Sequence, residues 1–174
     1  RGFAKAVKDK DTIDGRDLAI ALDFGVAAAY KAVMKPAEGT ILTVSRLTAA
    51  RAADAARQTP NDPEAVLEAA IAEGQLALEH TTEMNPVLKK AGVVDAGGKG
   101  FLVILQGMLD SLRGVPMPEG DSEGEAKAES KTDYAAIAAE EITFTFDTVF
   151  IVRKTSPHKG LEAFEAYLNS IGDS

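Results

Sequence analysis

The sequence predicts a mainly α-helical protein: an antiparallel helical bundle, then a flexible linker and a short β-α segment. Between residues 17 and 112, apolar side chains recur at steps of three and four residues, as in helices with one buried face. Proline and glycine interrupt this pattern at short intervals, as they do between the helices of a bundle. From Met117 to Asp133 the composition changes to Glu, Gly, Ser, Lys and Ala, which indicates the end of the bundle.

Length and composition limit the classes of function. The 174 residues suffice for one helical domain with a core and a small appendage. The formal net charge of -8 argues against a nucleic-acid partner, because contacts to phosphates need clustered Lys and Arg. There are no cysteines, and charges break every apolar stretch before the about 18 residues of a membrane span. We therefore expect a cytoplasmic protein without disulfides, thiolate metal sites or a transmembrane segment.

The first helices are marked by their end signals. Residues 1–7 are typical of the last turns of a helix that lacks an N-cap, so we expect the sequence to be a fragment of a longer protein. Asp14 is a candidate N-cap, and a helix over residues 17–34 follows, with Pro36 after its end. Its apolar positions are Leu18, Leu22, Val26, Ala29, Tyr30 and Val33.

Two further helices begin with clear caps. Gly39 and Thr40 open one helix, and the Thr40 hydroxyl is placed to accept a hydrogen bond from the backbone two or three residues on. Asp62 as N-cap and Pro63 at the first helical position begin a long helix. Its predicted buried side consists of Val66, Leu67, Ala70, Ile71, Gly74, Leu76, Ala77 and Leu78.

A glycine-rich stretch, residues 92–100, follows a short helix that Asn85 and Pro86 begin. Glycine lets a backbone approach a ligand and a helix start offers free N–H groups, so a nucleotide or phosphate would suit this stretch. It is also compatible with a tight turn in which Asp95 is the N-cap of the next helix. We expect that helix over residues 100–112, in the centre of the bundle, because it is the most apolar of the chain. Its apolar residues are Phe101, Leu102, Ile104, Leu105, Met108, Leu109 and Leu112.

The remainder of the chain predicts a second, smaller unit. Residues 117–133 are polar and acidic, which is typical of a solvated linker. Residues 142–152 alternate and are rich in β-branched and aromatic side chains, which predicts a strand, and residues 160–168 predict a helix. The predicted segments are a helical domain at 1–115, a flexible acidic linker at 116–134 and the start of an α/β domain at 135–174.

Two long motifs resemble a known family. They are residues 34–44, MKPAEGTILTV, and residues 88–98, LKKAGVVDAGG. In this order they are similar to the second half of a dihydroxyacetone-kinase L-type (DhaL-like) nucleotide-binding domain. The variant they resemble most is the ATP-binding subunit of bacterial fatty acid kinase. The resemblance extends to about Gly114, with a weaker similarity in the tail, and it implies an incomplete helical barrel that binds ATP.

The first motif carries one half of the implied ATP site. Thr40 and Ile41 match the threonine-aliphatic pair with which L-type domains line the adenine pocket at a helix start. From residue chemistry alone, Thr40 is a plain N-cap and Ile41 a core residue. The resemblance favours contact with adenine.

The second motif carries the other half. In the family this run closes against the nucleotide base, and it reads Asp-Pro-Gly-Ala in dihydroxyacetone kinases but Asp-Ala-Gly-Gly in the fatty acid kinase branch. The second form is present here, and the implied nucleotide contacts are Asp95, Ala96, Gly97 and Gly98.

No metal ligand or catalytic residue is assigned in this chain. Glu38 and Asp95 are carboxylates, but a hard cation needs several converging oxygens, and the family's Mg²⁺ ligands belong to an aspartate-rich loop upstream of the stretch that resembles residues 1–4. His80 has no second ligand at four-residue spacing. Asp147 stands where family members carry a cysteine that resembles part of a metal site. We therefore expect ATP with Mg²⁺, the metal ligands lying in the missing upstream segment.

The function implied by the resemblance is transfer of the ATP γ-phosphate to a fatty acid carboxylate that a separate fatty-acid-binding carrier protein presents. Without the metal loop we expect this chain to be inactive alone, and an uncovered apolar face on the 100–112 helix would allow a homodimer. One alternative is the L-type subunit of a dihydroxyacetone (glycerone) kinase. Another is a non-catalytic helical interaction module, which would show no saturable nucleotide binding.

Overall fold

The computed structural model describes residues 1–116, 149, 151, 153 and 160–172. Contacts between Cα atoms divide the chain into two units, Arg1–Glu129 and Ser130–Ser174. The helices described in the first unit are α1 (Gly2–Ala6), α2 (Gly15–Ala32), α3 (Ile41–Gln58), α4 (Pro63–Met84), α5 (Pro86–Ala91) and α6 (Ala96–Leu112). In the second unit the described helix is α7, Glu162–Ile171. The predicted mainly helical fold class is confirmed.

The predicted N-caps are confirmed by their hydrogen bonds. In each, a side-chain oxygen of the cap residue accepts from a backbone N–H in the first turn, which satisfies a group that has no partner within the helix. The pairs are Asp14 with Asp17 N at 2.8 Å, Thr40 with Leu42 N at 3.3 Å, Asp62 with Ala65 N at 2.9 Å, and Asn85 with Val87 N at 3.0 Å.

Helices α3, α4 and α6 pack in alternating directions. Gly39, just before α3, faces Met84 at the end of α4, so α3 and α4 are antiparallel. Gly98, in the first turn of α6, faces Val44 near the start of α3 and Leu78 near the end of α4. The starts of α3 and α6 therefore lie at the same end of the bundle.

The core lies between α2, α3, α4 and α6, and much of it is alanine. Small residues let helix axes approach closely, and Gly74 of α4 continues this pattern because a Cβ there would clash with Leu102. Buried residues of this core include Leu18, Leu22, Val44, Ala49, Ala52, Leu67, Ala70, Leu78, Leu102, Leu105 and Leu109.

The structure corrects two predictions about α6. It begins at Ala96 instead of Gly100, because Asp95 caps it and the following glycines adopt the helical conformation. It also does not lie in the centre of the bundle, since Val103 and Ile104 are 63% and 66% exposed. Helix α6 packs on α3 and α4 through one face only. The number of apolar residues could not show which of them another helix covers.

Smaller differences concern side chains and helix ends. Leu76 was predicted to be buried and is 53% exposed, so that prediction was wrong; the buried stripe of α4 passes through Gly74, Ala77 and Leu78 instead. The predicted 17–34 helix is observed two residues earlier, as α2, because it begins directly after its cap at Asp14. The predicted 160–168 helix corresponds to α7, which begins and ends later.

Two predicted elements fall almost entirely outside the described residues. These are the linker at 116–134 and the strand at 142–152, so both remain predictions, as do the domain boundaries. Within the described ranges, no helix combines the length and the apolar character that crossing a membrane requires.

Candidate functional site

The two motifs, far apart in sequence, meet at one end of the bundle. A Cβ built on Gly97 would lie 3.4 Å from Ile41 Cβ and 3.7 Å from Ile41 Cγ2. We call Thr40, Ile41 and residues 95–98 the helix-start junction. The structure thus brings together the residues that the sequence assigned to adenine binding.

On the α3 side, Thr40 is occupied by backbone contacts. Its hydroxyl accepts from Leu42 N at 3.3 Å and donates to the Ala37 carbonyl at 2.8 Å, so it acts as the N-cap that residue chemistry predicted. Ile41 is 41% exposed, and the interpretation of Ile41 as a plain core residue is therefore wrong. It offers an apolar surface at the start of the helix.

On the α6 side, Asp95 stabilises the turn before the helix with two hydrogen bonds, one from its side chain and one from its backbone. Its Oδ2 accepts from Gly98 N at 2.7 Å, and its own backbone N donates to Thr81 Oγ1 at 3.0 Å. Thr81 is fully buried and donates in turn to the Leu78 carbonyl at 2.6 Å. The turn that begins α6 is thereby fixed to α4, and Asp95 is an N-cap as residue chemistry predicted.

The two glycines after Asp95 have different surroundings. Gly98 is buried, and a Cβ there would lie 2.8 Å from Val44 Cγ2, so glycine is needed for α6 to pack against α3. Gly97 is exposed beside Ile41. Among the described glycines, those with positive φ are Gly39, Gly92 and Gly114, so the backbone conformation at Gly97 does not itself require glycine.

The two helix starts give the junction its electrostatic character. Each helix start carries unsatisfied backbone N–H groups and the positive end of the helix dipole. Since the starts of α3 and α6 lie side by side, their dipoles add at one exposed surface. Such a surface favours hydrogen-bond acceptors and negative charge.

A polar network beneath the α3 start was not found from the sequence. Thr43 Oγ1 accepts from Gly39 N at 2.9 Å and donates to Glu38 Oε2 at 2.7 Å. Arg46 Nη2 donates to the same Glu38 oxygen at 2.8 Å, and Arg46 Nε donates to the Tyr30 hydroxyl at 3.1 Å. The hydrogen bond from Thr43, and then the hydrogen bond and the positive charge of Arg46, lower the pKa of Glu38.

The network fixes the turn that leads into α3. Gly39 has φ of +75°, a conformation that L side chains rarely adopt, and its N–H is held by Thr43. Tyr30 had been counted as part of the apolar face of α2. The sequence does contain one indication of this network, because Glu38, Thr43 and Arg46 lie close together around a capped helix start. Their spacing predicts which of them are in contact only once the conformation of the turn before α3 is known.

An apolar pocket of about 240 Å³ opens beside Ile41. Its lining residues are Phe3, Leu22, Gly25, Val26, Ala29, Ile41, Leu42, Ser45 and Phe101. The polar side chain among them, Ser45, already donates to the Leu42 carbonyl at 3.0 Å. The pocket therefore suits an apolar group. Its described lining residues offer no free polar side chain to the polar edge of a nucleotide base, so hydrogen bonds to such an edge would have to come from the helix-start junction.

The described residues do not fit a Mg²⁺ site. They contain no group of three or more His, Cys, Asp or Glu side chains that could hold a metal ion. Glu38 faces Thr43 and Arg46, and Asp95 faces its own helix start, so neither converges with a second carboxylate. We derive no step of a reaction through a metal in this part of the chain.

Comparison with known proteins gives relatives that are much longer. Protein YloV of Bacillus subtilis (strain 168) is 39% identical over 181 aligned residues, which cover 100% of this chain and 32% of YloV. The uncharacterized protein SH1689 of Staphylococcus haemolyticus is 36% identical over 179 residues, with the same coverage. The chain spans about a third of the length of these relatives.

Comparison with family models identifies the family to which the chain belongs. Residues 1–110 match the DAK2 domain, and this range includes α1 to α5, most of α6 and the whole helix-start junction. The DAK2 domain belongs to the dihydroxyacetone kinase family, whose DhaL-like domains bind ADP or ATP. The chain therefore belongs to the DAK2 domain family.

Proposed function

We propose that the helix-start junction binds the adenine base of ATP, and that this chain is part of the ATP-binding subunit of a fatty acid kinase. The observation that supports this most directly is the proximity of Ile41 to Gly97, where an added Cβ would lie 3.4 Å from Ile41 Cβ. Two motifs assigned to one ligand from the sequence lie side by side at an exposed surface. A role in turn formation alone does not require both motifs at the same place.

Each part of the junction has a role in this proposal. The exposed side chain of Ile41 packs against one face of the base, and the absent side chain at Gly97 leaves room for its edge. Backbone groups at the two helix starts provide the hydrogen bonds. A base held in this way gains only a few kcal/mol, which corresponds to roughly millimolar affinity for this chain alone.

The proposed reaction is phosphoryl transfer to a carboxylate. A carboxylate oxygen of the fatty acid attacks the γ-phosphorus of ATP, the bond to the oxygen of the leaving ADP breaks, and the products are an acyl phosphate and ADP. Catalysis of this type relies on positioning and on neutralising the phosphate charges. The acyl chain is presented by a separate fatty-acid-binding carrier protein. The Asp95-Ala96-Gly97-Gly98 form of the second motif supports this branch of the family.

The experiment is a substrate comparison with a relative of full length, such as Protein YloV. It is incubated with Mg-ATP and either a fatty acid loaded on a lipid-binding protein or dihydroxyacetone, and ADP and phosphorylated products are measured. We expect acyl phosphate from the fatty acid and no product from dihydroxyacetone. Phosphorylation of dihydroxyacetone alone would instead assign a glycerone kinase L-type subunit. Absence of saturable nucleotide binding would favour a non-catalytic helical module.

A further inference from the structure

The last turn of α4 holds the segment that leads into α6. The Thr82 hydroxyl donates to the Val93 carbonyl at 2.9 Å. The hydroxyl of the neighbouring Thr81 accepts from Asp95 N at 3.0 Å. The residues that are held lie 11 and 14 positions further along the chain, on either side of Val94. Two consecutive side chains of α4 therefore fix the backbone directly before the glycines of the helix-start junction.

The Thr82 hydrogen bond is not one that a helix makes for itself. A threonine hydroxyl within a helix commonly bonds to the carbonyl three or four residues earlier. Thr81 does so, since it also donates to the Leu78 carbonyl at 2.6 Å. Thr82 donates instead to the chain beyond α5. Because this bond adds nothing to α4 itself, its effect is on where the segment before α6 lies.

The end of α4 also contacts the turn that begins α3. A Cβ added to Gly39 would lie 2.8 Å from Met84 Cβ and 3.0 Å from Asn85 N, so the backbone of Gly39 packs directly on this end. We call residues 81–85 the α4 anchor. It contacts the turn before α3 by packing and the turn before α6 by hydrogen bonds.

We propose that the α4 anchor sets the distance between the starts of α3 and α6, and that Thr81 and Thr82 are positioning residues for the adenine base. This inference rests on the proposed adenine site. Both hydroxyls are bonded to backbone groups, so they act through the placement of Gly97 beside Ile41 and not by touching the base. A site that is loosened by about 1 Å loses affinity, because its groups no longer meet the ligand together. These bonds join described residues that pack on one another, so they do not depend on any surface that is left exposed.

The test is Thr82→Val in the whole 174-residue chain, studied by NMR with and without ATP. At this half-buried position, valine keeps the shape of threonine but cannot donate to the Val93 carbonyl, whereas Thr82→Ser keeps the donor. Per folded molecule, Thr82→Val should weaken ATP binding by about fivefold, and Thr82→Ser should remain within about twofold of the wild type.

A second readout does not need the ligand. One Hα of Gly97 points toward Ile41, because an added Cβ would lie 3.4 Å from Ile41 Cβ. The nuclear Overhauser effect between this Hα and the Ile41 side chain should weaken in Thr82→Val and persist in Thr82→Ser. Thr82→Ala removes the same donor with a residue that favours the helix, and it should behave like Thr82→Val.

The matched control is Thr59→Val, at the other end of α3 from the junction. The Thr59 hydroxyl donates to the Ala55 carbonyl at 3.2 Å, so this change also removes a hydrogen bond from a threonine hydroxyl to a backbone carbonyl. It should lower the melting temperature about as much as Thr82→Val does. ATP affinity and the Gly97–Ile41 Overhauser effect should be unchanged in Thr59→Val, because the bond that it removes is far from the junction.

The outcomes separate this inference from the adenine site itself. A wild-type chain that shows no saturable shifts would overturn the adenine site and, with it, the role of the two threonines in binding. If the wild type binds ATP and Thr82→Val binds it equally tightly, or keeps the Gly97–Ile41 Overhauser effect, the α4 anchor is overturned and the adenine site stands. Equal losses of affinity in Thr82→Val and in either Thr82→Ser or Thr59→Val would also contradict a positioning role of the Thr82 hydroxyl.

Discussion

Gly97 of α6 and Ile41 of α3 face each other so closely that a Cβ on Gly97 would lie 3.4 Å from Ile41 Cβ. Both residues are exposed. A side chain at position 97 would therefore project at the exposed surface beside Ile41, where we place the edge of the adenine base. The same Cβ would lie 3.2 Å from Asp95 Oδ2. A small substitution at position 97 therefore affects both the proposed adenine site and the N-cap of α6.

Gly97→Val should weaken ATP binding by about tenfold or more, which corresponds to about 1.4 kcal/mol, while the melting temperature changes by only a few degrees. The β-branched side chain blocks the approach of the base and presses on Ile41. NMR titration with ATP measures the affinity, and Ala50→Val, an exposed change on α3, is the control. If the melting temperature collapses while affinity per folded molecule is unchanged, the glycine run is only a turn.

Asp95→Ala should lower the free energy of unfolding by about 1 kcal/mol, because Gly98 N loses its acceptor at the start of α6. Asp95→Asn keeps an acceptor at the same place and should cost only a few tenths of a kcal/mol. Urea unfolding followed by circular dichroism measures both. Equal stability of the alanine variant and the wild type would show that this cap does not hold the turn.

Thr43 and Thr48 of α3 are both fully buried, but valine should have opposite effects at the two positions. Thr43→Val removes the acceptor for Gly39 N and the donor to Glu38, and should cost about 1–3 kcal/mol. Thr48 Oγ1 has no hydrogen-bond partner in the structure, so Thr48→Val should be neutral or stabilising. Thermal unfolding of both variants measures the difference. Equal destabilisation would contradict the assigned role of Thr43.

The pH dependence of stability should include a contribution from Glu38. Its pKa is lowered in the folded state by Thr43 and Arg46, so ionised Glu38 stabilises the fold above the pKa of the unfolded chain. This stabilisation is lost as the pH falls through the folded pKa. The wild type should be more stable than Glu38→Gln at pH 7, and the difference should disappear between about pH 5 and about pH 3.

The difference will be small, because the Glu38 side chain is 53% exposed and solvent screens its charge. Thermal unfolding at several pH values measures it, with Glu79→Gln at an exposed position of α4 as the control. A gap between wild type and Glu38→Gln that stays constant down to pH 3 would show that the network does not depend on the ionised carboxylate.

The chain alone should show no phosphoryl transfer. The described residues contain no group that could hold a metal ion, and a triphosphate needs its charge neutralised for transfer. Incubation with Mg-ATP and a fatty acid on a carrier, or with dihydroxyacetone, should yield no ADP above background. Turnover comparable to that of a full-length relative would mean that the phosphate site lies within these residues.

Much of the fold follows from local signals in the sequence. The caps at Asp14, Thr40, Asp62 and Asn85 were predicted because capping depends on one side chain and the backbone next to it. The exposure of Ile104 could not be predicted, because it depends on which surfaces other helices cover. The start of α6 was placed too late because the glycines of the first turn were interpreted as a break in the helix.

The candidate site was only partly predictable for a similar reason. The resemblance identified Ile41 and Gly97 individually. Their proximity depends on the parallel directions of α3 and α6, between which α4 runs in the opposite direction. The network of Glu38, Thr43 and Arg46 depends on the positive φ of Gly39. No periodic pattern indicates that turn, so side-chain chemistry alone could not have assembled the network.

The most direct test of the adenine site is an NMR titration of this chain with ATP, ADP and adenosine, with GTP for comparison. We expect saturable shifts of the backbone amides of residues 40–42 and 95–98, at roughly millimolar concentrations of the adenine compounds. Adenosine should shift the same amides as ATP, because the base provides the contact. Shifts that do not saturate, or that are strongest away from the starts of α3 and α6, would contradict an adenine site at the helix-start junction.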